Sequence, residues 1–353
     1  MEVRRDLERP RGRGLASKDG LAHHAAIIML LAAYTASRTP RFEDADLLTT
    51  TGTELYFCVD GGGTRSRGRV LDAEGRTLAE ASGGPCNPNT NLERAVASIV
   101  DLWRRCCSAV GRPDDQYDGV VFAIGAAGAY VDGGNDFLTA CPPFARSCSM
   151  SDGYAALIGA GSGAPCSLLI VGTGIAGHRL YANGWSIQRD AWGWIAGDRG
   201  SGAWIGQKAL RHFFAALDGV VPRDGLSRAV IGAIGGVEKL RTGWLRDLGP
   251  DRLAAFAPLV LEQADLGVES ARRIRDRAVE LLAGLIGVIA SADAPLYAAG
   301  GLVAPLRPRL SEKAGLPILE PNGDALTGCW LVASGRAPEE RALLFGETVE
   351  PSR

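Results

Sequence analysis

No two cysteines in this sequence stand at C-x-x-C spacing and only four histidines occur, so a zinc site or an iron–sulfur cluster has little to build on. The eight cysteines, Cys58, Cys86, Cys106, Cys107, Cys141, Cys148, Cys166 and Cys329, read instead as reduced and mostly buried thiols of a cytoplasmic protein. Charge of one sign is also missing. Against 40 acidic residues stand 38 lysines and arginines, mixed along the chain, for a net charge of −2. That excludes the basic stripe needed to track nucleic acid. An uninterrupted apolar run of membrane-spanning length, roughly 20 residues, does not occur. What is abundant is glycine: 47 of 353 residues, about double the usual share, which suits a chain that brings its backbone close to ligands. With 46% hydrophobic and 22% charged residues the chain can bury a sizeable core, as two domains or one large α/β unit.

Residues 1–53 open rich in arginine and then run apolar through 25–33, the outline of a signal peptide without a persuasive cleavage site. They read as a disordered or loosely attached extension.

From residue 54 the pattern becomes regular. The run 55–59 is a buried strand that enters Asp60-Gly61-Gly62-Gly63-Thr64, and strands over 66–72 and 76–82 complete an antiparallel meander. A helix follows over 92–109, then strands over 119–124 and 147–150, then a helix over 153–159 with Asp152 placed to cap it. The order then repeats. A strand over 167–171 ends in Gly172-Thr173-Gly174, and strands over 178–181 and 185–189 flank an Asn183-Gly184 hairpin turn. Helices are expected over 201–217, 237–245 and 266–291, a late strand over 295–299 ending in Gly300-Gly301, and a final helix over 324–334. Two related halves imply two lobes, and a cleft between lobes is a natural home for a nucleotide.

Four segments carry chemistry. In Asp60-Gly61-Gly62-Gly63-Thr64 three glycines let the backbone approach a phosphate, and the strand-end carboxylate can hold Mg²⁺ directly or through water. This segment is neither a Walker A loop nor G-x-G-x-x-G. Gly172-Thr173-Gly174 stands at the matching place in the second half, so the two turns suggest a clamp on phosphates from opposite sides. Asp152, between strand and helix, is either a cap or a general base for a sugar hydroxyl. The run from Trp192 to Gly202 offers aromatic faces for a pyranose, an aspartate for its hydroxyls, and a helix N-terminus that favours anions. Gly300-Gly301 and Asn87 are weaker signals, each by itself more often a turn.

Together these motifs, from Leu55 to about Ala337, resemble the N-acetylglucosamine kinase and glucosamine kinase family, with a BadF/BadG-type ATPase domain of the actin-like superfamily. The resemblance implies a two-lobed α/β fold of ribonuclease H-like type, each lobe a mixed sheet flanked by helices, with the active site in the interdomain cleft. The lobes are expected over 54–151, completed by a returning helix at 324–336, and 152–323. The implied activity is ATP- and Mg²⁺-dependent phosphorylation of the 6-hydroxyl of glucosamine or N-acetylglucosamine. Implied roles are Asp152 as catalytic base; Asp60, Gly61, Gly62, Gly63, Thr64, Gly172, Thr173, Gly174, Gly300 and Gly301 for ATP; and Asn87, Trp192, Gly193 and Asp198 for the sugar, with Asp60 nearest the metal. The expected partners are a small amino sugar and a second copy of the chain, with neither nucleic acid nor membrane. Two positions depart from the family pattern: Ile175 where serine is common, and Arg199 where glutamate is common. Two other readings use the same fold: an ATPase that activates a 2-hydroxyacyl-CoA dehydratase, which needs paired cysteines for a shared cluster, and a sugar-sensing regulator without catalysis.

Overall fold

The computed structural model describes residues 54–127 and 135–343, so the extension read over 1–53 lies outside the described residues. Among the described residues nine strands form two sheets. In the first, β1 (Leu55–Gly61), β2 (Ser66–Leu71), β3 (Thr77–Gly83), β4 (Val120–Ala126) and β5 (Arg146–Met150) lie in the order β3-β2-β1-β4-β5. β1, β2 and β3 pair antiparallel, whereas β1, β4 and β5 run parallel. The second sheet repeats the pattern with one strand fewer. Its strands β6 (Cys166–Val171), β7 (Ile175–Leu180), β8 (Ser186–Asp190) and β9 (Leu296–Ala299) lie in the order β8-β7-β6-β9. β6 is antiparallel to β7 and parallel to β9. Gly184, at φ 81°, makes the hairpin turn between β7 and β8 that Asn183-Gly184 signals in the sequence.

Both faces of the first sheet are covered, which is why β1 is apolar at nearly every position. Phe57 and Val59 join a core with helix α1 (Leu92–Val110), which buries Ile99, Leu102, Trp103 and Cys106. Asn91 caps α1 by accepting from the Arg94 N–H, and Gly111 ends it at φ 67°. Tyr56 and Cys58 point the other way, into a core walled by the later helices α3 (Asp152–Gly161) and α11 (Ala325–Ala333). Leu168, Leu180 and Tyr297 of the second sheet enter that same core, so α3 and α11 lie between the two sheets. These helices touch backbone to backbone. A Cβ at Gly159 would stand 2.0 Å from the Asp324 carbonyl oxygen, and one at Gly328 would stand 1.9 Å from that of Ala155.

Helix α2 (Asn135–Ala140) packs instead beside β5, at the far edge of the first sheet.

The outer face of the second sheet carries the remaining helices: α4 (Gly193–Ala196), α5 (Gly202–Leu217), α6 (Gly225–Ile234), α7 (Pro250–Ala254), α8 (Ala257–Asp265), α9 (Glu269–Ile289) and α10 (Val303–Ala314). Their core includes Leu169, Val171, Ile205, Val260, Leu282 and Leu306. The helix expected over 237–245 is instead two 3-10 turns, Val237–Thr242 and Trp244–Asp247, because Gly236 and Gly243 adopt φ 105° and 83° and break the helical path. The helices α6, α7, α8 and α10 are additions to the sequence reading. α6 opens with a capping box between Asp224 and Ser227, and α10 runs through Pro308, which weakens its helical signal.

Candidate active site

The parallel strands bring the acidic residues to one edge. Asp60 on β1 lies opposite Gly125 on β4, and Gly125 lies opposite Met150 on β5, with Asp152 two residues beyond. Asp152 is not the cap of α3, as the sequence reading has it. Ser151 is extended (φ −68°, ψ 148°), and its hydroxyl accepts from the Tyr154 N–H, so Ser151 is the cap and Asp152 is the first helical residue. The reason is steric economy at a helix start: the residue outside the first turn can fold its side chain back, whereas the one inside it points away. The Asp152 carboxylate takes the Gly153 N–H at 2.9 Å. It is open to solvent yet has protein packed around it, and its pKa is raised by burial first and then by the charge of Asp60. The two carboxylates therefore feel each other.

The first glycine turn is tightly enclosed at its start and open at its tip. A Cβ at Gly61 would come within 2.7 Å of the Cys86 carbonyl oxygen, whereas one at Gly63 would meet nothing within 4 Å. The Cys86 N–H donates to the Gly62 oxygen at 2.9 Å, which places Asn87 beside the turn. Asn87 Oδ1 accepts from the N–H groups of Asn89 and Thr90 at 3.0 and 3.2 Å. Asp60 Oδ2 accepts from Arg67 at 2.9 Å, and Arg67 also reaches Asp324 at 3.1 Å. Arg67 was not singled out in the sequence. Its partner Asp324 lies 257 residues away, a distance over which spacing carries no signal.

The second turn is held by the chain around it. Thr173 Oγ1 donates to Asp251 on α7 at 3.2 Å, and the N–H groups of Gly202 and Ala203 donate to the oxygens of Gly172 and Thr173 at 2.8 and 3.0 Å. The Trp204 N–H donates to Ser201 Oγ. The first N–H groups of α5 are thus satisfied within the protein, which corrects the expectation that this helix start favours an anion. Gly300, at φ 106°, closes on the end of β6: a Cβ there would stand 2.3 Å from the Val171 oxygen. Gly300 and Gly301 therefore share one sheet edge with Gly172.

From the last residue of β8 to the start of α5 the backbone is strained. Of the four non-glycine residues with positive φ among the described residues, Asp190, Ala191 and Asp198 fall here, at 60°, 63° and 53°. Such backbone costs about 1 kcal/mol or more per residue and gathers at functional sites. Asp198 is buried, and its Oδ1 accepts from the Ile175 N–H at 3.2 Å. Its pKa is raised by burial and by Asp190. The Ile175 side chain turns into the second-sheet core, and its backbone N–H is the group that meets Asp198, a contact that any residue but proline supplies. Trp192 exposes 57% of its surface, and Gly193 has open space around it.

β7 links the two groups of residues. Its Ile175 holds Asp198, and its His178 lies under Gly153, where a Cβ would stand 2.3 Å from the imidazole Cε1. Burial depresses the His178 pKa to about 4, so the ring is neutral at pH 7. Among the described residues no three histidines, cysteines, aspartates or glutamates stand together as a metal cluster, and all eight cysteines are free. Among them, too, no helix is long and apolar enough to cross a membrane.

Two sheets of matching topology, with glycine turns at matching strand ends and helices packed between the sheets, define a two-lobed α/β protein of the actin-like ATPase class. The chain belongs to the BadF/BadG/BcrA/BcrD ATPase family, whose model matches residues 58–293. It is 25% identical to the glucosamine kinase GspK of Vibrio cholerae over 280 residues, covering 79% of this chain and 95% of that protein. With the N-acetyl-D-glucosamine kinase of Dictyostelium discoideum it shares 27% identity over 259 residues, 67% of this chain and 79% of that one. A crystal structure of a candidate N-acetylglucosamine kinase from Chromobacterium violaceum superposes with a TM-score of 0.72 at 28% identity, covering 80% of this chain and 99% of that one.

Proposed function

We propose that the protein is an ATP-dependent amino-sugar kinase that phosphorylates the 6-hydroxyl of glucosamine or N-acetylglucosamine. The observation that carries this reading is Asp152: an exposed carboxylate at the same sheet edge as the Asp60 glycine turn. Asp152 orients the sugar hydroxyl and takes its proton as the phosphoryl group arrives. The turns Gly61–Thr64 and Gly172–Gly174 hold the phosphates from opposite lobes, and Gly300 and Gly301 border the adenosine. Gly63, Gly172 and Gly301 each have open space where a side chain would stand, which fits a close approach of phosphate or nucleoside to the backbone. Asp60 is the carboxylate nearest the metal. One of its oxygens is neutralised by Arg67, a fit to Mg²⁺ held mainly by water and phosphate rather than by a protein cage. Bound with ATP, Mg²⁺ neutralises charge on the phosphates. Asn87, Trp192, Gly193 and Asp198 bind the sugar, and closure of the lobes excludes water as a competing acceptor. The first lobe runs over 54–151 and takes back 324–336, and the second runs over 152–323. The enzyme works in the cytoplasm, where ATP is supplied, as a homodimer.

A coupled ADP-release assay tests this across glucosamine, N-acetylglucosamine, N-acetylmannosamine, N-acetylmuramic acid and glucose. The expected result is sugar-dependent ADP release, strongest with one of the first two. ADP release with none of the five sinks the reading.

A further inference from the structure

The start of α3 is completed by a residue 189 positions away. A helix cap such as Ser151 satisfies one N–H of the first turn, and its own backbone N–H is commonly taken by a glutamate or glutamine three residues on. Here that third residue is Tyr154, which has no carboxylate. Glu340 fills the vacancy. Its Oε2 accepts the Ser151 N–H at 2.7 Å, and its Oε1 accepts the Ser151 hydroxyl at 2.7 Å, while that hydroxyl accepts from the Tyr154 N–H. The capping box of α3 is thus closed through space.

The segment that delivers Glu340 is anchored on both sides of it. The Ala337 N–H donates to the Leu331 oxygen at the end of α11, and the Tyr154 hydroxyl donates to the oxygens of Pro338 and Glu339 at 2.8 and 3.2 Å. Beyond Glu340 the chain pairs with β8: the Ser186 N–H donates to the Arg341 oxygen at 2.9 Å, and the Leu343 N–H to the Ser186 oxygen at 2.8 Å. The Arg341 guanidinium stacks over Trp185 at 4.5 Å. Residues 337–343 therefore run from α11 across the start of α3 to the edge strand of the second sheet.

We infer that Glu340 is a positioning residue for the phosphoryl transfer: by holding both polar groups of Ser151 it fixes the first turn of α3, and with it the next residue, Asp152. The inference rests on the role proposed for Asp152. A carboxylate at a helix N-terminus is also favoured by the helix dipole. Burial raises the Glu340 pKa, the two Ser151 hydrogen bonds lower it, and Asp152 raises it, which places the two acids within electrostatic reach. A misplacement of the base by about 1 Å can cost about 100-fold in rate, so a clamp on the neighbouring residue has leverage on kcat.

The test compares Glu340→Ala, Glu340→Gln and Asp152→Asn in the full chain, reading kcat, the KM for ATP, and amide hydrogen exchange across α3. Glu340→Ala is expected to lower kcat by about 10- to 100-fold, leave the KM for ATP within about twofold, and speed exchange at Tyr154 and Ala155. Glu340→Gln should stay within about threefold of the parent, because its amide oxygen still takes the Ser151 N–H and its nitrogen can donate to the hydroxyl. Unchanged kcat in Glu340→Ala overturns the inference, as does an equal loss in both Glu340 variants or a KM for ATP that rises in step with the fall in kcat. Asp152→Asn tells the two failures apart. If it is inactive while Glu340→Ala is normal, only the role of Glu340 falls; if both are fully active, the role of Asp152 as base falls with it.

Discussion

The two glycine turns occupy matching places in the two sheets, and they are built differently. The first carries charge: Asp60 sits in it, paired with Arg67 and in electrostatic contact with Asp152. The second carries none, and its Thr173 is tied by Asp251 from another helix. The first is enclosed where it leaves the strand, at Gly61, and the second is open at Gly172. One topology thus serves two tasks. The first turn carries an ionisable group of its own, and the second offers backbone held in place by its neighbours. A pair of carboxylates near a polyanion needs a compensating cation, so the proposed metal belongs on the side of the first turn.

That division can be broken experimentally. The largest effect is expected at Asp152, the carboxylate within electrostatic reach of the first turn. Asp152→Asn should lower kcat by about two to four decades while nucleotide binding and the unfolding midpoint stay near the parent's. A variant that keeps full activity removes the base from the comparison. The next effect lies at the junction. His178 comes from the second sheet and is buried under Gly153 of α3. Its pKa falls from 6.5 to about 4 because burial penalises the imidazolium. The unfolded chain therefore binds the extra proton first. Stability from this group is complete above about pH 6.5 and is lost as the pH falls towards 4, by about 3 kcal/mol in all. Urea unfolding of the parent and of His178→Gln between pH 7.5 and 4.5 measures it, and equal pH slopes for the two would show that the junction is not dry. The smallest effect contrasts the turns directly. Gly61→Ala drives a Cβ against the Cys86 backbone and should cost about 1–3 kcal/mol. Gly172→Ala meets open space and should change stability by no more than about 0.5 kcal/mol. Equal urea midpoints for the two variants would erase the difference in enclosure.

The legible parts of the fold are those written in short stretches. Both turns, the strands that lead into them, the Asn183-Gly184 hairpin and α1 all announce themselves within a dozen residues, because backbone freedom and periodicity act locally. The helix α10 hides behind Pro308, and the segment over 237–247 looks more helical than its two glycines allow. At α3 the sequence reading puts the cap at Asp152, one residue too late, because serine and aspartate are both good caps and propensity alone does not rank them. Packing does, by turning Ser151 towards Glu340. Asp251 and Glu340 went unseen because each matters through a partner that is remote in the chain, and Arg67 because its link to Asp324 spans 257 residues.

Sequence by itself determined the repeated order of strands and turns, the position of an acidic residue at two strand ends, and the supply of glycine where backbone must come close. Tertiary structure decided which of these groups meet. It paired Asp60 with Arg67 and Asp324, set Asp152 beside Asp60 across three parallel strands, turned the Ile175 side chain into the core, and brought Glu340 to the cap of α3. The reason is one of range. Propensity and turn chemistry act over a few bonds, whereas ion pairing, desolvation and close backbone contact act over a few ångströms, and only the folded chain converts one distance into the other.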